Sequence, residues 1–332
     1  MDWGVITLLS LLGTLLTVIV VAMFKYFQLS RIQTAVERAW LDDGVCKGRA
    51  DDVACKLHAI ENLPQPPQKV LQRDFDPALA LRMVDYVTRV EMEEIKAPEG
   101  HAEVARYMPR VGPTFGVAWV SGTALVLSFR ATVTHREIQE DLNAWQVTWA
   151  NSAPVMHSIP KTAGELNIEG SEPYVHAGFY AVFLQFIDRV LDTIGLHQPE
   201  VVLLAGHSLG AAVATLMTVR LAELKGADER MATVRQIGGY VFGTPRVGNA
   251  SFDKKLRSER GVSTFWRVAN DADDIQQLPM RVMPNLRFPA HNPLFYEHAG
   301  PGHVYYSQWG TWRTNHFLPN YVAQMQSLQP TP

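Results

Sequence analysis

VVLLAGHSLGAAVATLMTVRLA (201–222) places three signals in succession: an apolar run, a glycine-flanked serine and a helix-forming segment. Val201–Ala205 has no polar side chain, which suits a strand covered on both faces. Gly206-His207-Ser208-Leu209-Gly210 follows, and the alanine- and leucine-rich run from Ala211 to Leu224 reads as a helix. A G-x-S-x-G pentad alone is a permissive pattern. Between a strand and a helix it describes a sharp turn that exposes the serine oxygen. The glycines leave room for the helix to close on the strand. Ser208 then sits at the carboxyl edge of a sheet. The Leu209 N–H, at the helix N-terminus, is placed to stabilise an oxyanion developing there. The plain alternative is a Ser-Gly turn without chemistry.

The flanking sequence continues the alternation. Phe115–Val120 and Ala124–Phe129 are β-rich runs separated by Ser121-Gly122-Thr123, which predicts a hairpin. Asp76-Pro77 opens a predicted helix whose stripe of Leu79, Leu81, Met83, Val84, Val87 and Val90 continues down to Ile95. Further strands are predicted at 145–149, 240–242, 263–269 and 304–309, with helices around Phe179–Ile194 and Pro319–Leu328. Strands alternating with helices predict an α/β fold, a mostly parallel sheet with helices on both faces. With 47 % hydrophobic and 19 % charged residues in 332, the chain has material for a sizeable core. Its formal net charge of -3 lacks the basic excess of a nucleic-acid binder, so no nucleic-acid partner is expected.

The N-terminus has a different character. WGVITLLSLLGTLLTVIVVAMF (Trp3–Phe24) contains no charged side chain and is long enough, at about 20 residues, to span a bilayer. Asp2 precedes it and no A-x-A-like site follows, so a membrane anchor over residues 1–25 is predicted in preference to a cleaved signal peptide. Lys25, Arg31 and Arg38 follow the run and no basic residue precedes it, which predicts a cytoplasmic location for the rest of the chain. Residues 26–70 read as a juxtamembrane helix, with Ile32, Val36, Trp40 and Leu41 at helical spacing, and a proline-rich linker at Asn62–Gln68. Cys46 and Cys55 fit a small disulfide loop or two reduced thiols equally well. The remaining residues, 71–332, form the predicted α/β domain.

SFRAT (128–132), VHAGFY (175–180), GHSLGAA (206–212), FGTPRVGN (242–249) and NDADDIQQLP (270–279) together resemble the successive motifs of the class 3, fungal-type triacylglycerol lipases. The resemblance covers roughly residues 115 to 320. It implies an α/β-hydrolase fold and a triad in the chain order serine, acid, histidine. A serine hydroxyl needs a histidine to take its proton, and the histidine needs a carboxylate to fix its tautomer.

Strand 263–269 runs into Asp271, Asp273 and Asp274, any of which suits the acid. The family's register places the acid six residues before the proline of a Leu-Pro pair, here Leu278-Pro279, and so selects Asp273. The histidine candidates are His291, His298, His303 and His316. His316 lies between the last predicted strand and the last helix, and His316-Phe-Leu-Pro-Asn-Tyr321 resembles the family's terminal H-x-x-x-x-Y. His298 resembles a second family histidine that is not the base. The resemblance also makes Thr132 an oxyanion donor beside Leu209. The family usually has glycine where this chain has Ala131, and the added methyl narrows the φ range of that loop.

Other positions carry weaker expectations. His291, His298 and His303 lack the cysteine or converging carboxylates of a zinc site, so no metal and no cofactor is expected. His176, Gly178 and Phe179 are expected to shape the approach to the acyl site, with core packing as the alternative reading of Phe179 and of Tyr180. Gly243, Pro245 and Arg246 read as structural, and His207 as a packed elbow residue. VTHREIQEDL (133–142) stands where the family has a covering helix. Only Val133, Ile138 and Leu142 are apolar in it, which predicts weak interfacial activation. The expected activity is membrane-anchored hydrolysis of acylglycerol esters. A phospholipase or acyltransferase using the same triad, a catalytically inactive lipid-binding member and a serine peptidase are the alternatives.

Overall fold

The computed structural model describes residues 74–92, 94–110, 112–131, 145–149, 172–283, 294–310 and 312–330. The predicted anchor Trp3–Phe24, the juxtamembrane helix and linker, Cys46, Cys55, Thr132, the segment 133–142 and His291 lie outside the described residues. The chain divides into the units Met1–Ala59 and Ile60–Pro332, and every described residue belongs to the second.

The described strands are β1 (Ala102–Tyr107), β2 (Gly116–Ser121), β3 (Ala124–Phe129), β4 (Gln146–Thr148), β5 (Tyr174–His176), β6 (Val201–His207), β7 (Gln236–Phe242), β8 (Val262–Asn270), β9 (Val282–Met283), β10 (Leu294–Phe295) and β11 (Gly302–Tyr305). The helices are α1 (Pro77–Glu91), α2 (Ala177–Leu184), α3 (Ile187–His197), α4 (Leu209–Leu224), α5 (Ala250–Ser258), α6 (Trp312–His316) and α7 (Leu318–Ser327). Seven strands form the main sheet in the order β1-β2-β3-β6-β7-β8-β11. The first three are antiparallel, the predicted hairpin being β2–β3, and every pairing from β3 to β11 is parallel. This is the mostly parallel sheet of an α/β-hydrolase fold.

β6 is buried between β3 and β7, which explains its unbroken apolar run. Successive side chains on a strand point to opposite faces. Val202 and Leu204 therefore join the cluster built on α4, with Leu125, Leu127, Ile237 and Val241. Leu203, Ala205 and His207 face the other way, toward α1, which packs on β3, β6 and β7. α4 is apolar around most of its circumference, as a helix sandwiched between the sheet and α2 must be. Asp76 caps α1 by accepting the N–H groups of Ala78 (2.9 Å) and Leu79 (3.1 Å), with Pro77 in the first turn.

Several predicted elements differ in detail. The 145–149 strand stays out of the main sheet and pairs with β5 in a two-stranded ribbon, because Trp149 packs on Tyr180 of α2 and Phe252 of α5. The helix expected around Phe179–Ile194 is two helices. Phe186 leaves helical geometry between them and stacks on Phe115 (centroids 5.2 Å apart). β11 ends at Tyr305 although the β-rich run continues to Trp309. Beyond Tyr305 the Asn270 side chain accepts the Ser307 N–H and donates to the Ser307 carbonyl (both 2.9 Å), which takes the chain off the sheet. α1 stops at Glu91 rather than Ile95, with Met92 extended.

Candidate active site

β6 delivers Ser208 at the carboxyl edge of the sheet with φ 56° and ψ -120°. Such a conformation costs a non-glycine residue about 1–3 kcal/mol and persists only where the surroundings impose it. Here the Ser208 N–H donates to the Phe242 carbonyl (3.1 Å), extending the β6–β7 ladder by one residue. The Ser208 carbonyl accepts the Ala212 N–H (3.1 Å), the first bond of α4. The two glycines are required by close approach. A Cβ on Gly206 would lie 2.2 Å from the Gly210 carbonyl oxygen, and one on Gly210 would lie 2.4 Å from the carbonyl oxygens of Phe129 and Arg130. Gly206→Ala is therefore expected to lower stability by about 2–3 kcal/mol, read as a melting point lower by roughly 5–10 °C. An unchanged melting point would contradict the packing of α4 on β6.

The end of β8 supplies the carboxylate expected to be the acid. Asp273 starts a short 3-10 turn, Asp274–Gln277, and its Oδ1 accepts the Ile275 N–H (2.9 Å). Its Oδ2 meets His316 Nδ1 (2.7 Å) and accepts the Tyr321 hydroxyl (2.5 Å). Three donors on a carboxylate with no exposed side-chain surface satisfy it as an anion. Asp271 and Asp274 are exposed. Burial pushes the His316 imidazole below its ordinary pKa against the opposing hydrogen bond to Asp273, so its resting form is the neutral base.

His316 ends α6, and Phe317 turns the chain into α7, which carries Tyr321 back under Asp273. Ser208 and His316 border the same peptide unit. Phe242 receives the Ser208 N–H, and a Cβ on the next residue, Gly243, would be 3.1 Å from His316 Cε1. The Leu209 N–H lies in the first turn of α4, where backbone donors have no intrahelical acceptor.

Residues 126–283 match the family Lipase (class 3). That segment, just under half of the chain, resembles the class 3 lipases. The matched segment contains Ser208 and Asp273 and stops short of His316. The chloroplastic phospholipase A(1) DAD1 of Arabidopsis thaliana is 34 % identical over 172 residues, covering 48 % of this chain and 35 % of the relative. The chloroplastic galactolipase DONGLE of the same plant is 28 % identical over 162 residues, covering 47 % and 33 %. A triacylglycerol lipase from Penicillium expansum superposes with a TM-score of 0.46 at 17 % identity, covering 71 % of this chain and 82 % of that one. The chain spans about a third of the length of these two plant relatives.

Other histidines of this domain sit elsewhere. His298 is half-buried beside Arg267 and Arg246, and burial followed by those two charges pushes its pKa down to about 3. Its Nδ1 has no hydrogen-bond partner among the described residues. His303 stacks flat on Phe75 (centroids 4.1 Å apart). His176 is fully buried, caps α2 by accepting the Phe179 N–H (3.3 Å) and stacks on the Phe179 ring at 3.9 Å. Phe179 and Tyr180 are packing residues of the core. Arg246 braces the loop after Asp273 through the Pro279 carbonyl (2.9 Å), the Gln277 carbonyl and the Gln277 side chain (2.6 Å).

At Ala131 the methyl meets no φ conflict. Among the described residues only Gln198 and Ser208 are non-glycine residues at positive φ. The Ala131 N–H donates to Glu91 Oε1 (3.0 Å), and the Arg130 side chain donates to the Ala131 carbonyl (2.5 Å) and to the Thr114 carbonyl (2.7 Å).

The sequence reading missed the residues that hold the candidate site together. Asn270 Nδ2 donates to the carbonyls of Ser307 and Asn315, while Asn315 Nδ2 donates to the Ala272 carbonyl (2.8 Å), lacing the acid loop to the histidine loop. Gln276 Nε2 donates to the Asn270 carbonyl (2.7 Å) and reaches the Tyr321 hydroxyl (3.2 Å). Glu91 was also missed. Its signal in the sequence is a carboxylate in the last turn of a helix, where the helix dipole disfavours negative charge.

Proposed function

We propose that the lipase domain is a serine carboxylic ester hydrolase that cleaves acyl esters of glycerolipids. The observation that carries this reading is the strained Ser208 and, across the Phe242–Gly243 peptide from it, a His316 whose Nδ1 is held by the buried Asp273. In this mechanism the Ser208 hydroxyl attacks the ester carbonyl as His316 Nε2 takes its proton. Asp273 holds the Nδ1–H and stabilises the imidazolium that forms. Backbone donors at Leu209 and Thr132 receive the oxyanion, and collapse of the tetrahedral intermediate expels the alcohol, protonated by His316. Water, activated by the same histidine, then hydrolyses the acyl-enzyme. Protein groups and water complete the cycle.

Two observations favour a lipid substrate. The loop leaving the Asp273 turn exposes Leu278 (51 %), Met280 (57 %) and Val282 (51 %) in alternation, an apolar rim held by the Arg246 bonds. The relatives are by name a phospholipase A(1) and a galactolipase. The apolar run Trp3–Phe24 supports delivery of the enzyme to a bilayer, with the domain on the cytoplasmic side.

A fluorophosphonate probe and a substrate panel test the proposal together. The probe is expected to modify Ser208, seen by peptide mass analysis, and to abolish hydrolysis of p-nitrophenyl butyrate, tributyrin and phosphatidylcholine vesicles. With tributyrin the rate is expected to rise smoothly through the solubility limit, as the weakly apolar 133–142 segment predicts. Full activity after stoichiometric labelling, or labelling at another serine, would overturn the mechanism.

A further inference from the structure

His207 lies next to the nucleophile yet takes no part in the mechanism above. Strand parity turns it to the α1 face of the sheet, where it is 5 % exposed. Its Nδ1 is 3.0 Å from Glu91 Oε1, and its Nε2 is 2.8 Å from the backbone carbonyl of His316. Both partners, a carboxylate and a peptide carbonyl, are acceptors. A neutral imidazole carries one N–H and satisfies one of them; the imidazolium satisfies both. The same Glu91 oxygen accepts the Ala131 N–H, a second donor that favours the ionised carboxylate. The position of Glu91 at the C-terminal end of α1 is electrostatically adverse, and the imidazolium partner accounts for it.

We propose that Glu91 and His207 form a second acid–histidine pair, a charged clamp that positions the His316 loop and the Ala131 turn and sets a cation against the His316 ring. The clamp rests on the triad reading but is a separate device. One carboxylate oxygen holds the residue before Thr132, and through His207 it holds the main chain of His316. Two arms of the site that are far apart in the chain thus share one anchor on α1.

The charges around both rings define the direction of its effect. His207 faces Glu91 from α1, the charge of Asp273 from the loop after β8, and His316 and Tyr321 from the C-terminal helices, with the rings of His316 and Tyr321 at 4.7 and 5.9 Å. Burial works against its protonation, but the charge and hydrogen bond of Glu91 prevail and hold it above the ordinary histidine range. Glu91, whose carboxyl is opposed first by burial although its side chain is 26 % exposed, is held below the ordinary carboxylate range by His207 and the Ala131 N–H. His316 faces Asp273, His207 and Glu91. After burial and the Asp273 hydrogen bond, the His207 charge lowers its pKa by more than Glu91 raises it. The pair therefore keeps the base unprotonated to lower pH.

The test is the pH profile of kcat/KM on soluble p-nitrophenyl butyrate, measured with the full chain in detergent. Glu91→Gln retains an acceptor for Ala131 but leaves His207 neutral, with one bond too few. We expect kcat to fall roughly tenfold with little change in KM, and the acidic limb to move up by roughly half a pH unit. His207→Gln removes the cation and leaves the carboxylate, so its acidic limb is expected to move further in the same direction. Folded variants with lower kcat but an unmoved limb would reduce the pair to a structural brace and overturn the proposal. A second readout is independent of turnover. In ¹⁵N-labelled Ser208→Ala protein, His207 is expected to show two protonated ring nitrogens at pH 7, and one protonated nitrogen would equally overturn it. Undiminished esterase activity in Ser208→Ala would refute the triad reading and leave the nitrogen measurement standing.

Discussion

Ser208→Ala is expected to lower kcat on p-nitrophenyl butyrate by about 10⁴- to 10⁶-fold while the protein stays folded. In the proposed mechanism the side chain contributes the attacking oxygen and little else. Its backbone is held by the Phe242 and Ala212 bonds, which alanine makes equally well, and alanine has the same Cβ to accommodate at positive φ. The melting point should therefore remain close to that of the wild type. This separation of activity from stability is the diagnostic result. A loss of activity accompanied by a large loss of stability would say only that the elbow had collapsed. A variant that keeps a tenth of the wild-type rate would exclude Ser208 as the nucleophile.

The second large effect is expected at the acid. Asp273→Asn should reduce kcat by about 10⁴-fold, because the amide reverses the hydrogen-bond logic at His316. The carboxylate takes donors on both oxygens: Ile275 N–H on Oδ1, His316 Nδ1–H and the Tyr321 hydroxyl on Oδ2. Asparagine has one acceptor oxygen. If that oxygen keeps the Ile275 bond, the NH₂ group faces His316 and converts Nδ1 into an acceptor. The Nε2 position then carries the proton and cannot take another from Ser208. Asp271→Asn and Asp274→Asn, both at exposed positions, should keep rates within about twofold, as surface substitutions away from a site do. A fall in either comparable to that of Asp273→Asn would reopen the assignment of the acid.

The elbow is legible in the chain because every interaction that builds it is short in sequence. An apolar strand, two glycines that allow close approach and an alanine-rich helix specify a turn within the 201–222 stretch. The Cβ contacts at Gly206 and Gly210 show why those two positions tolerate no side chain. The alternation of strands and helices was equally readable, since periodicity reports burial on one face or two. Pairing was less so. Gln146–Thr148 has strand character but is too short to reveal which neighbour it joins, and the answer is β5.

The residues that orient the chemistry follow a different rule. Asp271, Asp273 and Asp274 are equivalent by composition. Asp273 is distinguished by being the one that the turn after Asn270 buries against Tyr321 and His316, residues 48 and 43 positions away. Glu91 and His207 are separated by 116 positions and carry no shared local pattern. They meet because β6 lies between β3 and β7, because parity turns His207 to the α1 side, and because α1 ends level with the carboxyl edge of the sheet. The primary sequence was sufficient to place Ser208 on a strained turn between strand and helix, since backbone sterics and hydrophobic periodicity act over a few residues. Which carboxylate meets His316, and which one meets His207, was decided by folding, since electrostatic partners are chosen by proximity in space.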